Sequence, residues 1–521
     1  MLRFRRQVAG VVGCVAALVL TACNPTTAGT ERDPAGAPEP GGAANVIDIV
    51  EPYSLDPTVM SNTWSWQAFL GNALYGTLLI NDSKTGQIQY KMAENFSTTD
   101  GGATFELKLR PGLKFTDGSP LDAAAVKFNW DRARDPSLAA SNRQVVKMIA
   151  STTVVNAATL KLTMAEPMPR FPWAVLDSSM NWIASPNALK AGRQAFDASP
   201  VGAGPYILQR WTRQDKMELV RNPNYWDAPK PYLDHITLRA SSDPVQRLNT
   251  LLSGGADVIV DTNWETLAKA KDAGLVVDTV PFSGGLMIVM NTRRPPFDDV
   301  RARQAVAAAV DPDAMNVAVY NGKAKTVDTL FDQSSPFYSP DLKLPRQDRA
   351  TAQRIFDELA AEGKPVSFTF TATATSETKG LAESVQAQLS SFRNVNVQVK
   401  VLDHTVYSSL YTNPDFDMVV YSAQFTDPDP DLYFAFHTGS STNLGGFSDP
   451  ELDAALETGR KSTSTEERKA AYRTVQERLI ALSPVIFTSR AAPSVVAAKN
   501  VYGVKQYGWG SLLPEELWIK K

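Results

Sequence analysis

From Asn45 onward, short β-branched runs alternate with longer stretches of helical period, and that alternation restricts the chain to an α/β architecture. Strand patterns fall at Phe105–Leu109, Thr159–Met164, Ile236–Leu238, Asp257–Val260, Leu286–Met290, Val366–Thr371, Val395–Val401 and Asp417–Tyr421. Helical patterns fall at Asp122–Arg132, Asp299–Val310, Ala350–Ala361, Leu381–Phe392, Pro450–Gly459 and Glu466–Leu482. Asp449-Pro450-Glu451 sets a cap residue, an N1 proline and an acid in order, and Ser464 with Glu467 reads as a capping box. A length of 521 residues suggests two or more domains.

The head of the chain differs from this body. Arg3, Arg5 and Arg6 precede an uncharged apolar run, Val8–Leu20, which falls short of the roughly 20 residues that a spanning helix needs. Leu20-Thr21-Ala22-Cys23 closes it, so residues 1–22 read as a removed export signal. The tetrad resembles a bacterial lipobox, which implies that Cys23 becomes the lipidated first residue. Arg5-Arg6 leaves the twin-arginine and the general export routes both open. The two cysteines are Cys14 and Cys23. The body therefore holds no thiol and must be stabilised by its core alone. Residues 23–44, rich in Pro, Gly, Ala and Thr, read as a flexible tether. The expected place is the outer face of the cytoplasmic membrane, with contact through the lipid only.

Catalytic signatures are missing from the sequence. The three histidines, His235, His404 and His437, form no HxxxH or HExxH pattern, and there is no GxSxG, GxxxxGK[ST], CxxC or GxGxxG. The expectation is a non-enzyme without cofactor or metal. A net charge of −3 argues against a nucleic-acid partner. The run Asp427-Pro428-Asp429-Pro430-Asp431 has two readings. If extended, it sets three carboxylates on one face for Ca²⁺ or a ligand amine. Leu432 and Thr438 stand where a calcium loop requires Gly and Glu, which excludes that register. The other reading is a solvated loop whose acids cap Leu432–Phe436. Trp64, Trp66, Trp173, Trp182 and Trp211 sit in loop-like contexts, suited either to stacking on a solute or to interdomain packing.

Several separated motifs occur in a fixed order. They are Ser54-Leu55-Asp56-Pro57, Leu74–Leu78, Met92–Phe96, Lys114–Leu121, Pro200-Val201-Gly202-Ala203-Gly204-Pro205-Tyr206, Arg221–Trp226, Asn291-Thr292 and Pro296–Ala305. Together they resemble family 5 extracellular solute-binding proteins, the peptide and nickel group of ABC importers. The resemblance implies a periplasmic-binding-protein fold: two α/β lobes, a two-strand hinge and an enlarged first lobe. Lobe 1 would comprise 45–283 and 487–521, with an inserted subdomain near 81–189, and lobe 2 would comprise 284–486. The crossings are expected near Pro281–Gly285 and Val485–Arg490.

The implied ligand contacts are Tyr53, Thr63, Trp64 and Trp66 from the first loop, and Tyr421, Ser422, Ala423, Gln424, Phe425 and Asp427 from a loop of the far lobe. The aspartate that pairs with a peptide amine in the family falls here on Gln424 or Thr426, with Asp427 one step on. The implied partners are a small solute, in the first place a peptide, and an ABC permease with its ATPase; the chain is expected to act as a monomer. A metal chelate or a sugar-phosphate conjugate remains an alternative solute. Outside transport, the alternatives are a sensory or chaperone-like binder and a lipoprotein enzyme of unrecognised chemistry.

Overall fold

The computed structural model describes residues 36–62, 67–82, 86–410 and 413–520. The segment read as an export signal, Cys23 and most of the segment read as a tether lie outside them, as do Thr63, Trp64 and Trp66. The end of the tether is corrected. Ala43–Asp48 is a strand, paired in parallel with His235–Ala240 from Ala43 opposite His235. The Gly41 N–H already donates to the Tyr232 carbonyl at 2.8 Å. Composition suggested flexibility, but a small alanine fits where neighbouring strands crowd it, and Ala44 is fully buried.

Among the described residues the largest sheet has seven strands. Their spatial order is Val276–Thr279, Ser494–Ala497, Val258–Asp261, Ala43–Asp48, His235–Ala240, Lys216–Arg221 and Tyr206–Thr212. A second sheet of five strands runs Val395–Leu402, Val366–Thr373, Met418–Phe425, Ser283–Met290 and Val485–Ser489. The chain passes from the first sheet to the second between Thr279 and Ser283, and returns between Ser489 and Ser494. The two crossing segments touch: the Val280 N–H donates to the Pro493 carbonyl at 3.1 Å.

Arg490 secures this junction from inside. It is buried, and it donates to the carbonyls of Gly284 at 2.6 Å, Leu330 at 2.8 Å and Thr329 at 2.5 Å. Burial without a contacting carboxylate pulls its guanidinium down to about 10. At Gly284 φ is 68°, and a Cβ there would run into the Ala423 carbonyl, so this crossing requires glycine.

A third, antiparallel sheet joins Ala93–Ser97, Thr104–Leu109, Thr159–Met164 and Ile149–Asn156. Its middle strands alternate strictly. Phe105, Leu107 and Leu109 face inward opposite Leu160 and Leu162, and Phe171, Val175 and Trp130 close the same core. The period-two pattern in the sequence is this burial.

Helix starts follow the capping chemistry. Asp122 accepts from Ala125 N–H, Asp299 from Arg301 N–H and Asp449 from Leu452 N–H. The capping box at Ser464 forms only by half. Ser464 Oγ accepts from Glu467 N–H at 3.3 Å, but the Glu467 carboxylate accepts from Ser462 Oγ at 2.6 Å instead of from Ser464 N–H.

Gly202 and Gly204 pack against the helix Ala68–Tyr75, and a Cβ on either would strike the carbonyls of Leu74 and Ala73. Gly202→Ala is expected to cost about 1–3 kcal/mol, the scale of overpacking a filled site. Urea denaturation measures this, and a change under a few tenths would contradict the packing argument.

Candidate ligand-binding cleft

The strand Met418–Phe425 is longer than its sequence pattern suggested, because Ser283–Met290 supplies a partner along its whole length, with Ser283 opposite Phe425 and Gln424 opposite Gly284. Tyr421–Phe425 is therefore strand and not loop. Ala423 and Phe425 are buried in the core of the second sheet, with Tyr421 packed against it. Gln424 is also buried, and Ser422 is half-buried. The strand releases Thr426 and Asp427 into a cavity of about 300 Å³ between the two sheet-bearing bodies. Arg170 and Trp173 line it from the first body, Pro281 and Ser283 from the crossing, and Phe337 and Arg468 from the second.

Asp427 is the electrostatic centre of this cavity. Arg468, from the helix Thr465–Leu482, donates to it twice, at 2.6 and 3.2 Å, and Arg170 donates across the cleft at 2.7 Å. The Asp429 N–H adds a bond at 3.1 Å. Burial alone would push the Asp427 carboxyl up, but the two guanidinium groups and these hydrogen bonds outweigh it and hold it below its usual range. Arg170 also lies 5.0 Å from the Trp173 ring centre. The sequence offered Asp427 as a contact for a ligand amine or as part of a solvated loop. The solvated reading is corrected, because Asp427 is buried and paired with two arginines.

The one-face reading of the Asp-Pro run is corrected as well. The segment turns into the helix Asp431–Phe436, and its carboxylates diverge. Asp427 meets Arg170 and Arg468, Asp429 lies 3.6 Å from Arg460, and Asp431 lines a separate cavity. Burial, with Asp427 nearby, raises the Asp429 carboxyl to about 6 against the opposing pull of Arg460. The folded chain then binds more protons than the unfolded one between about pH 4 and 6, so this group's contribution to stability falls as pH rises through that window. Asp429→Asn should remove that fall and leave the low-pH stability nearly unchanged; urea midpoints at pH 4.5 and 7 decide it.

Other contacts also cross between the bodies. Lys461 lies 3.5 Å from Glu166, Gln144 donates to Ser441 at 3.2 Å, and Asn321 donates to Glu265 at 3.0 Å. Tyr53 takes no part in the interlobe cavity. It is 71% exposed, and Arg193 covers its ring at 4.7 Å and donates to its hydroxyl at 2.7 Å. A second cavity of about 390 Å³, lined by Asp48, Glu51 and Trp211, belongs to the first body alone, so closure between bodies does not form it. Trp182 is buried and donates to Asn72. Among the described residues no three His, Cys, Asp or Glu side chains group to hold a metal, and no helix is long and apolar enough to cross a membrane.

Arg170, Phe337 and Arg468 were not singled out from the sequence. For Arg468 a signal exists: it shares the buried stripe of its helix with Ala471, Tyr472 and Val475, where an arginine needs a buried partner.

Two α/β bodies, linked by two adjoining crossings around a cavity that both of them line, define a periplasmic-binding-protein fold. The same fold recurs in AgaA of A. tumefaciens R10, solved with agropinic acid (TM-score 0.78, 24% identity, 92% of this chain and 99% of that one). It recurs in the oligopeptide-binding protein AppA of Bacillus subtilis, solved with a nonapeptide (TM-score 0.77, 21% identity, 93% and 100%). The profile of bacterial extracellular solute-binding proteins, family 5, matches residues 87–444. A glutathione-binding protein GsiB of Pectobacterium atrosepticum is 30% identical over 420 residues, 76% of this chain and 79% of that protein. The GsiB of Salmonella typhimurium is 33% identical over about half of each chain (52% and 52%). The chain belongs to the family 5 extracellular solute-binding proteins.

Proposed function

We propose that this chain is the solute-binding lipoprotein of an ABC importer, and that it captures short peptides or a peptide derivative of glutathione size between its lobes and passes them to a membrane permease. The observation that carries the reading is the cavity at Asp427, walled by both bodies and bridged by Arg170. Closure of such a cleft is a hinge transition that a ligand touching both walls favours. The names of the relatives support a peptide solute. The lipobox-like Leu20–Cys23 supports an anchor, so Cys23→Ala should move the protein from the membrane to the soluble fraction, and persistent membrane retention would count against lipidation. No bond is made or broken in this reading.

The solute class is tested by native mass spectrometry of the isolated protein followed by a stability screen with peptides of about two to eight residues. A peptide at 100 times its dissociation constant should add about 2.7 kcal/mol. A shift with another solute class and none with peptides would overturn the peptide assignment.

A further inference from the structure

The segment Glu166-Pro167-Met168-Pro169-Arg170 belongs to the first body, and every second residue of it touches the other one. Glu166 lies 3.5 Å from Lys461, Met168 Sδ accepts from Arg460 at 3.4 Å, and Arg170 donates to Asp427 at 2.7 Å. Pro167 and Pro169 bias the residues before them, Glu166 and Met168, to extended backbone, which spreads the three side chains along the segment. The segment is also seated in its own body. The Met168 N–H donates to the Gly102 carbonyl at 3.0 Å, and the Phe171 N–H donates to the Met168 carbonyl at 3.0 Å. At Gly102 φ is 91°, and a Cβ there would run into Met168 and Pro169, so the segment lies directly on this glycine.

The three contacts differ in weight. Lys461 and Glu166 are largely exposed, and such a pair contributes little. Met168 and Arg460 are both buried. The Arg460 guanidinium lies 3.9 Å from the Tyr433 ring centre and 3.6 Å from Asp429, and its Nε finds no acceptor within the protein. Met168 therefore covers a cation that the second body by itself leaves short of acceptors. Phe434 of the second body also packs against the apolar core beneath the antiparallel sheet of the first. Neither Met168 nor Arg460 lines the cavity at Asp427 or the one at Asp431. That contact is made by the protein alone, and a solute held in those cavities does not have to reach it.

We propose that Glu166–Arg170 is a strap that closes the two bodies on each other without a solute, through Met168 on Arg460 and Arg170 on Asp427, so that the empty protein divides between an open and a closed form. The bond to Asp427 and the burial of Met168 and Phe434 are gained on closing whether or not the cleft is filled. A solute shifts such an equilibrium only by its own preference for one form. With the strap, it deepens a closed state that is populated beforehand, and its apparent affinity is reduced less by the share of protein that stands open. The inference concerns the hinge equilibrium of the proposed function and is independent of which solute is captured.

The test is double electron–electron resonance on the full chain with Cys14 and Cys23 changed to serine, in a sample that native mass spectrometry shows to be free of solute. Spin labels at Lys108→Cys and Glu466→Cys place one label on each body, at exposed positions outside the strap. With the strap intact, two distances are expected. Arg170→Gln should lower the ratio of the short to the long component by about tenfold or more, the scale of one hydrogen bond to a charged group. Met168→Leu, which keeps the apolar volume and removes the sulfur acceptor, should lower it by a smaller factor. Arg170→Lys, which keeps the charge, should retain more of the short component than Arg170→Gln. Arg170 is part-exposed and Met168→Leu conserves volume, so these variants are expected to fold. A single long distance with the strap intact would overturn the proposal and leave solute-driven closure standing. A short component that neither Arg170→Gln nor Met168→Leu reduces would overturn it as well, because closure would then rest on other contacts.

Discussion

Arg468→Gln is expected to lower stability by about 3–5 kcal/mol, the cost of leaving a buried charge without its partner. Asp427 and Arg468 are 6% and 8% exposed at their side chains, and they share two hydrogen bonds, the shorter at 2.6 Å. Arg468 also donates to the Gly459 carbonyl at 2.9 Å, which ties the helix Thr465–Leu482 to the end of Pro450–Lys461. Glutamine reaches neither group with the same fork. The loss should depend on pH. Asp427 is held below its ordinary range, so the pair's contribution is present above the unfolded carboxyl's value, near 3.8, and disappears as pH falls through the lower folded value. Arg468→Gln should therefore cost most at neutral pH and progressively less in acid. Urea unfolding at pH 7 and pH 3.5 measures both; an equal loss at the two pH values would mean that the side chain acts through packing and not through charge.

Arg247→Gln is expected to be comparably costly, at about 3–5 kcal/mol, in the other body. Arg247 and Asp261 are 2% and 0% exposed and lie 3.1 Å apart beneath the first sheet, and Arg247 also donates to the Ser241 carbonyl at 2.7 Å. Here burial outweighs the arginine and the backbone bonds, so the Asp261 carboxyl sits above its ordinary range. Its contribution has the opposite sign to that of Asp427: it is present at low pH and fades as pH rises through the folded value. Removing Arg247 raises that value further, so the variant should regain stability as the medium is acidified and Asp261 becomes protonated. Replacing both residues, as in Arg247→Met with Asp261→Asn, should recover most of the loss, because no lone charge then remains buried. A double variant as unstable as the single one would show that the pair cannot be replaced by shape alone.

The hydrophobic period made much of the fold legible. Thr159–Met164 is the same span in sequence pattern and in structure, and the Asp122–Arg132 pattern becomes the helix Ala123–Arg132 with Asp122 as its cap. Small and polar strands were harder to read. Ala43 and Ala44, which open the strand Ala43–Asp48, looked like the end of a tether, and Tyr206–Thr212 and Lys216–Arg221 carry polar faces at the side of a sheet, where neighbouring strands decide what the local pattern does not. The site was less legible than the fold. The run from Asp427 to Asp431 stands out as three carboxylates, yet the partners of Asp427 and Asp429 are Arg170, Arg468 and Arg460, which are distant in sequence and lie on other elements. Arg170 carries no local mark at all, since its partner lies 257 positions away on the opposite body.

Capture by closure is tested most directly by the distance between the two bodies with and without peptide. The body has no cysteine of its own, so with Cys14 and Cys23 changed to serine, spin labels at Glu166→Cys and Glu466→Cys report one distance by double electron–electron resonance. Both positions are exposed, at 62% and 82%, one on each side of the cleft. Saturating peptide is expected to narrow the distance distribution and shift it to shorter values, and Arg170→Gln, which cuts the bridge to Asp427, is expected to broaden it. A distribution that stays the same at every peptide concentration would contradict capture between the lobes.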